Sequence, residues 1–144
     1  KKYNSYISEL ESIYVHRISE ILLEGKTPIF YTSRVSINFN TYEENIKFGN
    51  LIADFMAHCA GKLQHKLSYI ISKGGTTSYS LLLNGLGSQV LQLHGQLLPG
   101  LSIVTPEKSV NVVKPRKIPV VTFPGNFGNE ITLLETWRLL NSSS

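Results

Sequence analysis

Apolar positions recur at helical spacing across residues 5 to 24. Ile7, Leu10, Tyr14, Ile18, Ile21 and Leu22 share a side, while Glu9, Glu11, Arg17, Glu20 and Glu24 fall largely on the others. Ser5 or Ser8 can cap that helix and Gly25 ends it. The period then shortens. Thr27-Pro28-Ile29-Phe30-Tyr31-Thr32-Ser33 is a β-branched and aromatic run that predicts a first strand, with Pro28 at its opening residue and polar Ser33-Arg34 at its end. Residues 34 to 45, rich in Asn, Thr and Ser, read as a loop. A second helix is expected over about 46 to 65, burying Phe48, Leu51, Ile52, Phe55, Met56 and Cys59.

Tyr69-Ile70-Ile71 predicts a buried strand, which Gly74-Gly75 stops because glycine takes backbone angles closed to other residues. Thr76, Thr77 and Ser78 stand as N-cap candidates before a helix whose Leu81, Leu82 and Leu83 cover a wide face. Val90, Leu91 and Leu93 predict another strand, leading through His94-Gly95-Gln96 into a Leu97-Leu98-Pro99-Gly100 turn and a short strand, Leu101 to Val104. Ile118 to Phe123 is the last strand, with Pro119 at an edge or a strand start. Pro124-Gly125-Asn126-Phe127-Gly128 is a second glycine-rich turn. It opens a helix through Ile131, Leu134, Trp137 and Leu140, capped by Asn126 or Asn129, and residues 141–144 form a flexible tail. The order αβαβαββ(β)α predicts an α/β fold, a mixed β-sheet layered by helices in a single domain.

Composition narrows the class. With 144 residues, 42% hydrophobic and 17% charged, the chain has the make-up of a globular domain large enough for a core. No apolar run approaches the roughly 20 residues of a membrane span. The start, Lys1-Lys2-Tyr3-Asn4, has neither an initiator Met nor a signal-peptide core, so the chain reads as a piece of a longer, cytoplasmic protein. A lone cysteine suits a reducing compartment. The net charge of +4 is compatible with phosphorylated ligands and short of a nucleic-acid footprint. Basic residues gather only at Lys108, Lys114, Arg116 and Lys117, which read as a solvated connecting loop. His58 and His65, on one helix without an acidic residue to complete a site, read as ordinary histidines rather than metal ligands.

The candidate chemistry lies at strand ends. A strand, a glycine turn and a helix start bring free amides and three hydroxyls together, a phosphate cradle at Gly74, Gly75, Thr76, Thr77 and Ser78 with Lys73 beside it to complete the shell. The competing reading is that Gly-Gly before a helix only packs a βα turn. Two stock motifs are excluded. Gly25-Lys26-Thr27 has Glu20 where a P-loop needs its first glycine, and Gly85-Leu86-Gly87 has Val90 in the third glycine place of a dinucleotide fingerprint. If the feeding strands are parallel, Thr32-Ser33-Arg34, Lys73 to Ser78 and Gly125 to Gly128 all meet one edge of the sheet.

Tyr31-Thr32-Ser33, Gly74-Gly75-Thr76-Thr77-Ser78, Gly95-Gln96-Leu97-Leu98-Pro99-Gly100 and Gly125-Asn126-Phe127-Gly128, in this order, resemble the C-terminal nucleotide-binding domain of the four-carbon acid sugar kinases. The resemblance runs from about Tyr6 to Leu140. It implies an ATP- and Mg²⁺-dependent kinase acting on threonate, erythronate or their relatives, with this chain as the nucleotide-binding part and an N-terminal domain holding the sugar acid. It implies no catalytic residue in this chain. Phosphate would lie on Gly74 to Ser78, with Ser33 bonding the nucleotide. Adenine or ribose would lie on Gly95, Gln96, Leu97 and Leu98, and the backbone would approach closely at Gly125, Asn126 and Gly128. Mg²⁺ ligands would lie on the other domain. Where the family often has a Lys-Ser pair before its last glycine turn, this chain has Phe123-Pro124, and Lys73 or Arg34 are the candidate replacements. The rival class is a non-catalytic interaction module that binds an acidic partner through residues 108–117. A dinucleotide oxidoreductase lacks both its glycine fingerprint and its ribose-binding acid.

Overall fold

The computed structural model describes residues 2–33, 37, 39–109 and 117–142, and opens on two long helices, α1 (Lys2–Leu23) and α2 (Tyr42–Leu63). Helix α2 begins earlier than its apolar period suggests because of a capping box. Thr41 Oγ1 accepts from the Glu44 amide at 3.2 Å, and the Glu44 carboxylate accepts from the Thr41 amide at 3.2 Å. The helices pack through a polar contact that the sequence pattern does not reveal. Glu11, expected on the outer face of α1, is buried at 7% exposure, where its carboxylate is bound by Lys62 Nζ and lies 3.2 Å from His58 Nδ1. A carboxylate is rarely buried without such partners.

The sheet follows, in the order β1 (Ile70–Lys73), β4 (Val120–Phe123), β3 (Leu101–Ser109), β2 (Ser88–Leu98). β1 and β4 run parallel, with Lys73 opposite Phe123, while β3 is antiparallel to both β4 and β2. This is the mixed, helix-layered sheet expected. Pro119 lies just outside β4, an interior strand, so it marks a strand start; its carbonyl accepts from the Ile70 amide at 2.9 Å. One core cluster joins Leu81, Leu82, Leu86, Val104, Ile118 and Val120; a second joins Leu101, Val121 and Phe123 on the other side.

Three expectations are corrected. Residues 27–33 form no strand among the described residues, leaving β1 at the edge. Phe30 is drawn into an aromatic cluster with Tyr14 and Phe55, at ring centroid distances of 5.2 and 6.2 Å, while Ile29 and Tyr31 stay 73% and 77% exposed. A strand requires a ladder partner as well as β-prone residues, and side-chain packing wins here. The helix after the double glycine, α3 (Gly75–Ser80), is short and passes into a π-helical turn at Leu81–Gly85. The last helix, α4 (Thr132–Asn141), buries Thr132 and Thr136, whereas Ile131, Leu134 and Trp137 of the expected apolar stripe are 53%, 42% and 37% exposed. The cap position is Ile131, without a side-chain cap bond, so neither Asn126 nor Asn129 is the cap. Asn129 instead braces the preceding turn, its Oδ1 accepting from the Ile131 amide at 3.1 Å and the Thr132 hydroxyl at 2.9 Å. Residues 110–116, with Lys114 and Arg116, lie outside the described residues, as do Arg34 and the last two residues of the tail.

Cys59 is fully buried, and burial pushes its thiol up to about 11, with the Glu11 charge adding and Lys62 opposing. The native thiol should therefore resist alkylation at pH 8 and react once the chain is unfolded. Because the unfolded thiol ionises near 9.0, the folded state holds the extra proton and stability falls as pH rises from 9.0 to about 11. Chemical denaturation across that window should show a slope that Cys59→Ala reduces.

Candidate functional site

The parallel pairing of β1 and β4 brings their carboxyl ends side by side, and the two antiparallel steps beyond them return β2 in the same direction. The turn after β1, the turn after β4 and the β2–β3 turn at Pro99–Gly100 therefore line one edge of the sheet. In open α/β sheets this is the edge that takes ligands.

The first turn is built by its backbone. Gly74 has φ +104°, its amide donates to Phe123 O at 2.7 Å, and its carbonyl accepts from Ser78 N at 2.9 Å, opening α3. A Cβ on Gly125 would stand 3.7 Å from Gly74 Cα, so the glycine turns of β1 and β4 touch. Beside them the Gly100 backbone faces the Phe127 ring, which a Cβ there would meet at 2.8 Å. Lys73 ties the edge together. Its ammonium donates to Pro124 O at 3.1 Å and Phe127 O at 3.2 Å, and lies 4.1 Å above the Phe123 ring centroid.

Next to this edge, between residues 30–33 and α2, lies an open groove of about 890 Å³, within the size range of small-molecule sites, roughly 300–1,000 Å³. Its walls are largely apolar, from Tyr14, Phe30, Phe55 and Met56, with Ser33, Thr76 and Thr77 as hydroxyl-bearing lining residues. Among the described residues, these hydroxyls have no hydrogen-bond partner. Thus Ser33, Thr76 and Thr77 share one groove, whereas Gly74, Gly75 and Gly125 are not among its lining residues. Gly74 and Gly75 directly precede Thr76 in the chain, and Gly125, Asn126 and Gly128 lie on the exposed turn after β4.

Other expected contacts fall elsewhere. Ser78 is buried, its hydroxyl 3.2 Å from Ser72 O and 3.0 Å from Ser72 Oγ, so it fastens α3 to β1. Thr76, Thr77 and Ser78 are in the first turn of α3, and the cap position belongs to Gly74. Gly95, Gln96, Leu97 and Leu98 lie within β2 rather than in a turn, with Gly95 at φ +111° beside a register shift. Leu97 and Leu98 pack on the core of Leu101, Val121 and Phe123, and the Gln96 carboxamide oxygen accepts from the Gly100 amide at 3.3 Å, closing the β2–β3 turn. Phe30 and Met56, which line the groove, carry no sequence signal of a ligand role, whereas Lys73, expected beside the phosphate cradle, is held on the neighbouring turn after β4. Of the basic stretch, Lys117 is described and pairs with Glu107 Oε1 at 2.8 Å. Among the described residues, no group of three or more His, Cys, Asp or Glu could hold a metal ion, so Mg²⁺ has no site built from these side chains. No described helix is long and apolar enough to cross a membrane.

The family model described as "nucleotide-binding C-terminal domain" matches residues 4–133. No curated protein sequence matches the chain. Two crystal structures of a domain of unknown function (DUF1537) from Bordetella bronchiseptica share its fold; both are described as domain-swapped dimers with bound citrate. One is 17% identical with a TM-score of 0.55, covering 80% of this chain and 25% of the neighbour. The other crystal form is 16% identical with a TM-score of 0.59, covering 96% of this chain and 31% of the neighbour. The chain thus spans about a quarter to a third of the length of these neighbours.

Proposed function

We propose that this chain, which belongs to the family of nucleotide-binding C-terminal domains, is the ATP-binding part of a kinase that phosphorylates a small four-carbon sugar acid of the threonate or erythronate type. The observation that carries the reading is that Ser33, Thr76 and Thr77 line one groove while, directly before Thr76 in the chain, the Gly74 turn touches the Gly125 turn at the ends of β1 and β4. Phosphoryl transfer demands positioning and charge neutralisation more than covalent chemistry from the protein. In this reading residues 1–144 form the nucleotide domain. The apolar groove, rather than Gly95 to Leu98 of β2, takes the base and ribose in this reading. The phosphates lie toward Gly74, Gly75, Thr76, Thr77 and Gly125.

ATP fits this edge, since donors without described partners and close-approaching glycines are what a triphosphate requires. Magnesium does not fit the side chains present, and its ligands are assigned to the triphosphate and to the sugar-acid domain. The citrate named with the Bordetella protein is a small polycarboxylate, in keeping with an acidic substrate for the whole enzyme.

Titrating the purified chain with ATP–Mg²⁺ to millimolar concentration should shift the backbone amide resonances of Gly75, Thr77 and Gly125. A folded chain whose resonances stay fixed throughout the titration would end the proposal.

A further inference from the structure

We infer that Lys73 is the phosphate-contacting cation of this edge and, at the same time, the latch that holds the Pro124–Gly128 turn in place; this rests on the nucleotide reading above. An ammonium has three donors. Two are taken by Pro124 O and Phe127 O, and the Phe123 ring covers another side at 4.1 Å. The residue is exposed, and no described hydrogen bond takes the remaining donor. Its two acceptors are neutral carbonyls, and no described carboxylate forms an ion pair with it, whereas Lys26, Lys62 and Lys117 each have one. The charge is held in place without being neutralised.

Position decides what that charge serves. Lys73 lies opposite Phe123 in the parallel ladder, immediately before Gly74, whose Cα lies 3.7 Å from where a Cβ on Gly125 would be. The cation therefore stands where the two glycine turns meet. The end of β4, Phe123-Pro124, brings no cation of its own, and among the described residues Lys73 is the one on these two strand ends. A phosphate against Gly74, Gly75 and Gly125 would receive the third N–H as a charge-assisted hydrogen bond. Its binding and the conformation of residues 124–128 are then linked through one side chain.

Lys73→Met keeps an aliphatic stem over the Phe123 ring and removes charge and donors; Lys73→Arg restores charge. Affinities for ATP, adenosine and inorganic tripolyphosphate, measured by calorimetry at fixed ionic strength with a thermal melt of each variant, separate the roles. Lys73→Met should weaken ATP and tripolyphosphate by roughly tenfold or more and adenosine by less than about twofold, with Lys73→Arg recovering most of the loss. Equal losses for ATP and adenosine would reduce Lys73 to a shaper of the turn, and unchanged ATP affinity would remove it from the site. If wild-type protein binds neither ATP nor adenosine, the nucleotide reading fails. Tripolyphosphate binding that Lys73→Met abolishes would still uphold the phosphate role, and no tripolyphosphate binding by wild type would overturn it.

Discussion

Gly61→Ala is expected to cost about 3 kcal/mol or more of stability, lowering the melting temperature by roughly 10 °C, and Gly85→Ala should do the same. Gly61 lies on α2 where the π-helical turn crosses it. A Cβ there would meet Gly85 O at 2.3 Å, and a Cβ on Gly85 would meet Ala57 O at 2.5 Å. Both obstacles are backbone, which no rotamer change can move aside. Ala53, Ala57 and Gly61, one helical turn apart, make the seam that lets the two segments approach so closely. Gly49 sits in the same helix with nothing within 4 Å of its added Cβ. Gly49→Ala should therefore stabilise, by up to about 1 kcal/mol, because alanine loses less backbone freedom on folding. Thermal and urea melts of the three variants test this directly. Stabilisation by all three would mean that helix propensity, and not this crossing, sets the response.

The double glycine supports an equally sharp contrast in binding. Gly74 has φ +104°, and a Cβ on it would meet nothing closer than Thr77 Oγ1 at 3.6 Å, so Gly74→Ala suffers from backbone conformation and not from crowding. Strain of this kind costs on the order of 1–3 kcal/mol. It would also disturb the Gly74 amide bond to Phe123 O and the first turn of α3. Gly75 has an ordinary φ and open space around its Cβ position. Nothing in the fold requires a glycine there, and Gly75→Ala at the start of a helix should leave stability unchanged or slightly raised. A ligand whose phosphate approaches that backbone would require it. Gly75→Ala is accordingly expected to weaken ATP by roughly tenfold or more while the melting temperature holds. If ATP affinity is unaffected in this variant, the second glycine is not part of the phosphate site.

Much of the fold is legible in the chain. The periods of α1 and α2, the glycine stop after β1 and the Pro-Gly turn between β2 and β3 are short-range effects. Each depends on residues within a turn or two, so local chemistry predicts them. The strand-end edge was legible for the same reason, because polar and glycine-rich segments follow apolar runs. Long-range choices were hidden. Residues 27–33 carry strand chemistry, but whether a strand forms depends on a neighbour's ladder, and here the pull of Tyr14 and Phe55 on Phe30 prevails. Glu11 looks like any exposed carboxylate until α2 brings Lys62 and His58 against it. Gly95 suggests a turn, yet β3 continues to pair across it, and its φ of +111° is absorbed as an irregularity within the strand.

By itself, then, the order of residues determined which segments are helical, where the backbone must turn on glycine and which segments carry hydroxyls and amides able to meet an anion. Periodicity and turn chemistry act over a few residues, and that information is complete in the chain. Only the tertiary structure decided that β1 and β4 lie parallel, that their turns touch, that Lys73 reaches across to the neighbouring turn, and that Ser78 and Leu97 serve the core instead of the groove. Those outcomes depend on contacts between residues far apart in sequence, whose geometry exists only once the sheet has formed.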